Sequence, residues 1–135
     1  MTRPTRYRVA TCISVALLSG LLTTAAVPAE ASGGGPRVEN RGSCTKATAW
    51  KVKAKADDSR IEVEGEVDSN RIGQVWSWKI RHNGSVSAKG QATTKAPSGS
   101  FSVERRMVDL TGPDSFSFRA VNVKTGEVCR GSVTL

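Results

Sequence analysis

From Trp50 onward, apolar side chains fall on every second residue, a period that a pleated strand can bury on one face and a helix cannot. Trp50, Val52, Ala54 and Ala56 alternate with Lys51, Lys53 and Lys55. Beyond Asp57-Asp58-Ser59, Ile61, Val63, Gly65 and Val67 alternate with Glu62, Glu64 and Glu66. A hairpin turning at Asp58-Ser59 sets Lys55 opposite Glu62, Lys53 opposite Glu64 and Lys51 opposite Glu66. Both apolar sets then share the other face, so hydrophobic pattern and charge specify one register.

The same period recurs to the end of the chain. A third strand carries Trp76, Trp78 and Ile80, and a fourth carries Val86, Ala88 and Gly90, with His82-Asn83-Gly84 between them. A two-residue turn at Asn83-Gly84 would pair even with odd positions and send the two apolar sets to opposite faces. A three-residue loop with Gly84 left-handed is therefore expected, with Trp78 opposite Ala88 and Trp76 opposite Gly90. Asn83-Gly84-Ser85 also matches a glycosylation sequon, but turn chemistry accounts for it. Thr93 to Ser100, with Pro97 and Gly99, reads as a loop. Phe101 and Val103 open a fifth strand whose alternation falters at Arg105-Arg106-Met107, where a bulge is expected. After the turn at Thr111-Gly112-Pro113-Asp114, a sixth strand carries Phe116, Phe118 and Ala120. A seventh, after Lys124-Thr125-Gly126, carries Cys129, Gly131, Val133 and Leu135. Seven short strands with regularly spaced turns predict an all-β, antiparallel two-sheet sandwich.

The first 31 residues follow a different logic. Arg3, Arg6 and Arg8 precede an uncharged, largely apolar run from Val9 to Val27, and Ala29-Glu30-Ala31 supplies a small-x-small cleavage pattern. This predicts a secretory signal peptide over residues 1–31, an exported chain starting at Ser32, and an extracellular location. A membrane anchor fits less well. Ser14, Ser19, Gly20, Thr23, Thr24 and Pro28 dilute the apolar run, and no basic stop-transfer cluster follows it, so no transmembrane segment is expected after cleavage. Losing Arg3, Arg6, Arg8 and Glu30 takes the formal charge from +8 to +6. Cys12 leaves as well, and in an oxidising compartment Cys44 and Cys129 are expected to pair. Ser32 to Ser43, with Gly33-Gly34-Gly35-Pro36, has few apolar residues and is expected to be a flexible tail ahead of a domain over residues 44–135.

The segment from Leu110 through Thr111-Gly112-Pro113-Asp114-Ser115-Phe116-Ser117-Phe118-Arg119-Ala120-Val121 to Asn122, closed by Gly126, resembles the sixth-strand region of immunoglobulin-like and fibronectin type III-like domains. The chain as a whole resembles small secreted actinobacterial sandwich proteins of uncharacterised function. This resemblance implies that the first, second and fifth strands form one sheet and the third, fourth, sixth and seventh the other. Two features depart from the pattern. The only tyrosine, Tyr7, lies in the expected leader, so Phe116 stands where a tyrosine corner would place its ring. The two cysteines bracket the domain rather than joining the second and sixth strands.

Catalytic chemistry finds little support. His82 is the single histidine, and no sequence signal gives it an orienting carboxylate or an activated serine. Ser43-Cys44-Thr45-Lys46 and Lys124-Thr125-Gly126 match penicillin-binding motifs only in their letters, for the chain is too short for that fold and lacks Ser-Asp-Asn. No cofactor is expected. One pole should gather Asp57, Asp58, His82, Asn83, Asp109 and Asp114, but without calcium-loop spacing, and no metal ligand is assigned. The other should gather Asp68, Ser69, Asn70, Arg71, Lys95, Lys124 and Thr125.

In the implied arrangement, the outer face of the first sheet balances Lys51, Lys53, Lys55 and Arg106 against Glu62, Glu64, Glu66 and Glu104. The second presents Lys79, Arg81, Lys89, Arg119 and Arg130 among serine and threonine hydroxyls, with no acid in its strands. The expected function is that of a monomeric, non-catalytic binding module. Its ligand would be an anionic envelope polymer, such as teichoic acid or an acidic polysaccharide, or an extracellular protein, engaged through this basic face and the Asp68 to Arg71 and Lys124 to Gly126 loops. Sequence-specific nucleic-acid recognition is not expected, because Trp50, Trp76 and Trp78 fall on core faces where they cannot stack on bases. The plainer reading of the basic face is a solubilising surface. The alternative function is a secreted protease or glycosidase inhibitor presenting Lys95 on the Thr93 to Gly99 loop.

Overall fold

Eight strands follow one another in the computed structural model, which describes residues 34–135; the expected leader lies outside the described residues. They are β1 (Arg37–Ser43), β2 (Ala49–Asp57), β3 (Arg60–Asp68), β4 (Val75–His82), β5 (Ser85–Thr93), β6 (Ser100–Val108), β7 (Ser115–Asn122) and β8 (Val128–Thr134). All neighbours pair antiparallel, in two four-stranded sheets ordered β1-β2-β3-β6 and β5-β4-β7-β8. This is an all-β sandwich compatible with an immunoglobulin-like or fibronectin type III-like fold, and its strands divide between sheets as expected, with one strand added.

The added strand is β1, which replaces most of the flexible tail expected over Ser32 to Ser43. Its backbone pairs along β2 from Arg37 opposite Lys55 to Ser43 opposite Ala49. An edge strand takes its hydrogen bonds from a neighbour's backbone, so it needs little apolar content of its own. Val38 packs against the core, and Asn40 Nδ2 reaches across to the Ser132 carbonyl of β8 at 3.2 Å. The sandwich therefore begins before Cys44.

The first hairpin has the expected register, with Lys51, Lys53 and Lys55 opposite Glu66, Glu64 and Glu62. Asp58 and Ser59 both take positive φ, 44° and 62°, matching the right-handed twist of the flanking strands. The β4–β5 hairpin differs from expectation. Asn83 and Gly84, with φ of 47° and 85°, form a two-residue turn, so His82 faces Ser85 and Arg81 faces Val86. Between Ile80 and Arg81 the register shifts, Ser87 becomes a bulged extra residue, and Ile80 faces Ala88, Trp78 faces Gly90 and Trp76 faces Ala92. The bulge repairs the parity that the turn alone would violate. Val86, on the turn side of it, lies on the outer face and is exposed.

No bulge interrupts β6, which pairs with β3 without a break from Asp68–Ser100 to Arg60–Val108. The faltering alternation has another cause. Arg105 shares the inward parity of Val103 and Met107 and lays its guanidinium over the Trp78 ring, 5.0 Å from the centroid. A cation on the face of an aromatic ring is attracted by the ring quadrupole and closes the rim of the core without an apolar side chain.

Between the sheets, Trp76, Phe116, Phe118, Ile61, Ile80, Val52, Val63 and Val67 are fully buried. Large rings sit over glycines of the facing or neighbouring strand. Trp78 covers Gly90, Trp50 covers Gly131, and Phe118 of β7 covers Gly65 of β3, where a Cβ would lie only 2.4 Å from the ring. Cys44 and Cys129 are disulfide-bonded as expected, Cα to Cα 4.2 Å, closing a span of 85 residues. In the chain-entropy description, a loop of that length contributes about 4 kcal/mol by restricting the unfolded chain.

Gly65→Ala should overpack the core against Phe118 and lower the stability by about 1–3 kcal/mol, read from the urea midpoint at unchanged m-value. Phe118→Leu in the same chain should recover part of that loss.

Candidate functional site

The two outer faces treat charge in opposite ways. On β1-β2-β3-β6, acids and bases interleave and meet. Lys51 bridges Glu66 at 2.5 Å and Glu64 at 3.9 Å, Lys53 pairs with Glu64, Arg106 pairs with Asp57, and Glu39 accepts from Arg37 at 2.8 Å and from Arg41. The guanidinium of Arg41, and then that of Arg37, holds the Glu39 carboxyl at about 2, well below the ordinary range. The Glu66 carboxylate raises Lys51 in turn.

On β5-β4-β7-β8 no described strand residue is an Asp or Glu. Here the registers bring four of the five expected residues into one line. Lys89 of β5 lies directly opposite Lys79 of β4, Lys79 opposite Arg119 of β7, and Arg119 opposite Arg130 of β8. The row crosses the whole sheet, and directly opposed side chains in such a ladder stand about 5 Å apart at Cβ. Among the described residues none of the four has a carboxylate partner. Lys89, Arg119 and Arg130 are exposed, and Lys79 is half-buried.

The fifth residue, Arg81, lies one step along β4 opposite Ser117, and its Nη1 donates to the Gly84 carbonyl at 3.0 Å. Lys79, Arg81, Ser117, Arg119 and Arg130 line a shallow depression of about 380 Å³. Like charges placed directly opposite one another destabilise a sheet, so this row stores repulsion that an anion would relieve. The expected three-residue loop would have set Lys79 opposite Ser87. The bulge substitutes Lys89 and completes the row.

At the Asn83 pole the structure gathers a polar cluster that is occupied with itself. Asp114 is buried, with a side chain only 2% exposed, and its carboxylate accepts from the ring Nε2 of His82, whose side chain is 10% exposed. It also accepts from Asn83 Nδ2 at 3.2 Å and from the Leu110 N–H at 3.0 Å. His82 stacks on Phe116 at 4.5 Å between ring centroids, and Asn83 Oδ1 accepts from the Ser115 N–H at 2.8 Å. The sequence places His82 and Asp114 at the same pole, 32 positions apart, but turn chemistry accounts for the aspartate there and nothing in the pattern shows that it is buried against the ring. Asp57 is engaged by Arg106, and among the described residues no three potential metal ligands cluster.

The opposite pole is clipped by backbone bonds. Ser69 N–H donates to the Gly99 carbonyl at 3.1 Å and Gly73 N–H to that of Thr94 at 2.8 Å. Within the expected inhibitory loop, Lys95 N–H donates to Ser100 and its carbonyl accepts from Gly99, at 2.9 and 2.8 Å. Both main-chain groups of Lys95 are thus used inside the loop. Trp76 and Trp78 are buried and Trp50 is half-buried with its Nε1 on the Ser43 carbonyl at 3.1 Å, as the core-face assignment requires. Among the described residues no helix is long and apolar enough to cross a membrane.

No family model, no curated protein and no solved structure matches this chain.

Burial raises the Asp114 pKa, but the hydrogen bonds from His82, Leu110 and Asn83 outweigh it and the net shift is downward. A carboxylate whose folded pKa is depressed adds stability above its unfolded pKa, about 3.9, and that stability is lost as pH falls through the folded value. Asp114→Asn should therefore destabilise the protein at neutral pH, and the gap between the two proteins should narrow once the pH falls below the unfolded pKa, about 3.9, and on through the depressed folded value. Denaturation midpoints measured across that range check it.

Proposed function

We propose that this chain is a secreted, non-catalytic binding module that takes an anionic polymer on the outer face of the β5-β4-β7-β8 sheet. The observation that carries this reading is the row Lys89–Lys79–Arg119–Arg130, four opposed cations with no carboxylate among the described residues to neutralise them. On the other sheet the same chain interleaves its charges. A surface serving only solubility would gain by doing so on both.

A polyanion with charged groups along its length meets the row as a line of charge, and Ser77, Ser117 and Ser132 supply short hydroxyls beside it. Arginine contributes a planar fork suited to phosphate, sulfate or carboxylate oxygens, and lysine a mobile point charge. Such contacts are ionic and little dependent on monomer identity, which fits envelope polymers such as teichoic acid or acidic polysaccharide. The basic leader, its small-x-small end and the Cys44–Cys129 disulfide support export. The all-strand, two-sheet sandwich is compatible with an immunoglobulin-like or fibronectin type III-like domain. The inhibitor reading has less support, because Lys95 spends its backbone groups within its own loop instead of offering them to an enzyme cleft.

The test is retention on an immobilised polyanion over a salt gradient. Lys79→Ser with Arg119→Ser should elute at clearly lower salt than the parent, whereas Lys51→Ser with Lys53→Ser, the same change in charge on the opposite sheet, should shift elution much less. Relief of repulsion should also make the first variant more stable by a few tenths of a kcal/mol or about 1 kcal/mol at most. Equal elution of both double variants would remove the basis for the proposal.

A further inference from the structure

A second site, independent of the basic row, lies at the pole opposite His82. The β3–β4 loop and the β7–β8 loop there enclose a pocket of about 630 Å³. Its two walls are clipped together, since the Val123 N–H donates to the Val75 carbonyl at 3.0 Å. Ile72 and Val123 are large apolar side chains left 64% and 59% exposed at its rim. Arg71 and Lys124 line it too, no acidic residue does, and among the described residues neither cation has a carboxylate partner.

Among the described residues four buried side-chain polar atoms lack a partner; two are the indole nitrogens of Trp76 and Trp78, and the other two belong to residues lining this pocket. Asn122 is only 2% exposed, and its Oδ1 is already taken by the N–H groups of Lys124 and Thr125, each at 3.0 Å. The orientation of its amide is thereby fixed, and Nδ2 is left buried with no partner among the described residues. Gln74, a half-buried lining residue, keeps its Oε1 buried and, among the described residues, unpartnered. An unmatched donor on one wall and an unmatched acceptor on the other are costly for a protein to maintain unless something pairs with them.

We infer that this pocket receives the free carboxyl terminus of a peptide ending in an apolar residue. The pocket matches that ligand group by group. Asn122 Nδ2, Arg71 and Lys124 offer donors and positive charge to the terminal carboxylate, and Gln74 Oε1 accepts the N–H of the last residue. Ile72 and Val123 cover its apolar side chain. A fatty acid has no N–H for Gln74, and an internal peptide segment has no carboxylate at this point of its main chain, so each leaves one side of the pocket unmatched.

Calorimetric titration of the full chain with an acetylated tetrapeptide ending in leucine tests this, with the same peptide capped as a carboxamide and decanoate as comparisons. The free-acid peptide should bind at least about tenfold more tightly than the carboxamide, since a charge-assisted contact is lost on capping. It should also bind more tightly than decanoate. Asn122→Asp, which keeps the Oδ1 acceptor and replaces the amide donor, should abolish binding. Val123→Ser, at an exposed position, should weaken binding several-fold and leave both the melting temperature and polyanion retention unchanged. Equal affinity for the two peptide forms, tighter binding of decanoate, absence of binding, or an unaffected Val123→Ser protein would each overturn the assignment. Polyanion retention is read separately, so failure here leaves the basic row untouched.

Discussion

In a pleated strand the face on which a side chain lands depends on register parity, and the β4–β5 hairpin shows what that constraint demands. The Asn83-Gly84 turn sets His82 opposite Ser85 and Arg81 opposite Val86. Continued unchanged, that register would bury Trp76, Trp78 and Ile80 while turning Ala88, Gly90 and Ala92 to solvent. One extra residue, Ser87, restores the match. The same bulge seats Trp78 over Gly90 in the core and sets Lys89 beside Lys79 on the outer face. Core packing and the charged row are thus two results of a single backbone irregularity.

The sandwich carries its unneutralised row because other contacts hold the sheet in place. Beneath the row lie Trp76, Ile80, Phe116 and Phe118, all fully buried. One margin of β8 is held by the Cys44–Cys129 disulfide. At the far end, the Leu135 N–H donates to the Asp114 carbonyl at 2.9 Å, while the Asp114 carboxylate gathers His82, Asn83 and Leu110. Hydrophobic burial is indifferent to the sign of the charges on the far side of the sheet. The row therefore survives a repulsion of modest size.

Legibility followed the range of the interaction involved. The first hairpin was readable to the residue, since alternation and Lys–Glu complementarity both act within a few positions. The members of the basic face were readable too, because parity along one strand identifies outward residues. Their alignment into a row was not, for it depends on the bulge. Val86 was assigned inward for the same reason. The Arg105 position looked like a bulge because a charged residue in an inward slot breaks the apolar period, and only the Trp78 ring across the rim explains it.

By itself the sequence determined the all-β class, the Cys44–Cys129 pair and the outward parity of the five cations, which follow from period 2, from turn residues and from counting, all local properties. The division of the strands between two sheets was implied only by the resemblance to immunoglobulin-like and fibronectin type III-like domains. Tertiary structure alone decided that Arg37–Ser43 is a strand, that Asp114 is the buried partner of His82, that Lys89 completes a line of charge, and that Asn122 and Gln74 line one pocket. Main-chain pairing along an edge leaves no side-chain pattern to read. Contacts between residues far apart in the chain exist only once the two sheets close on each other.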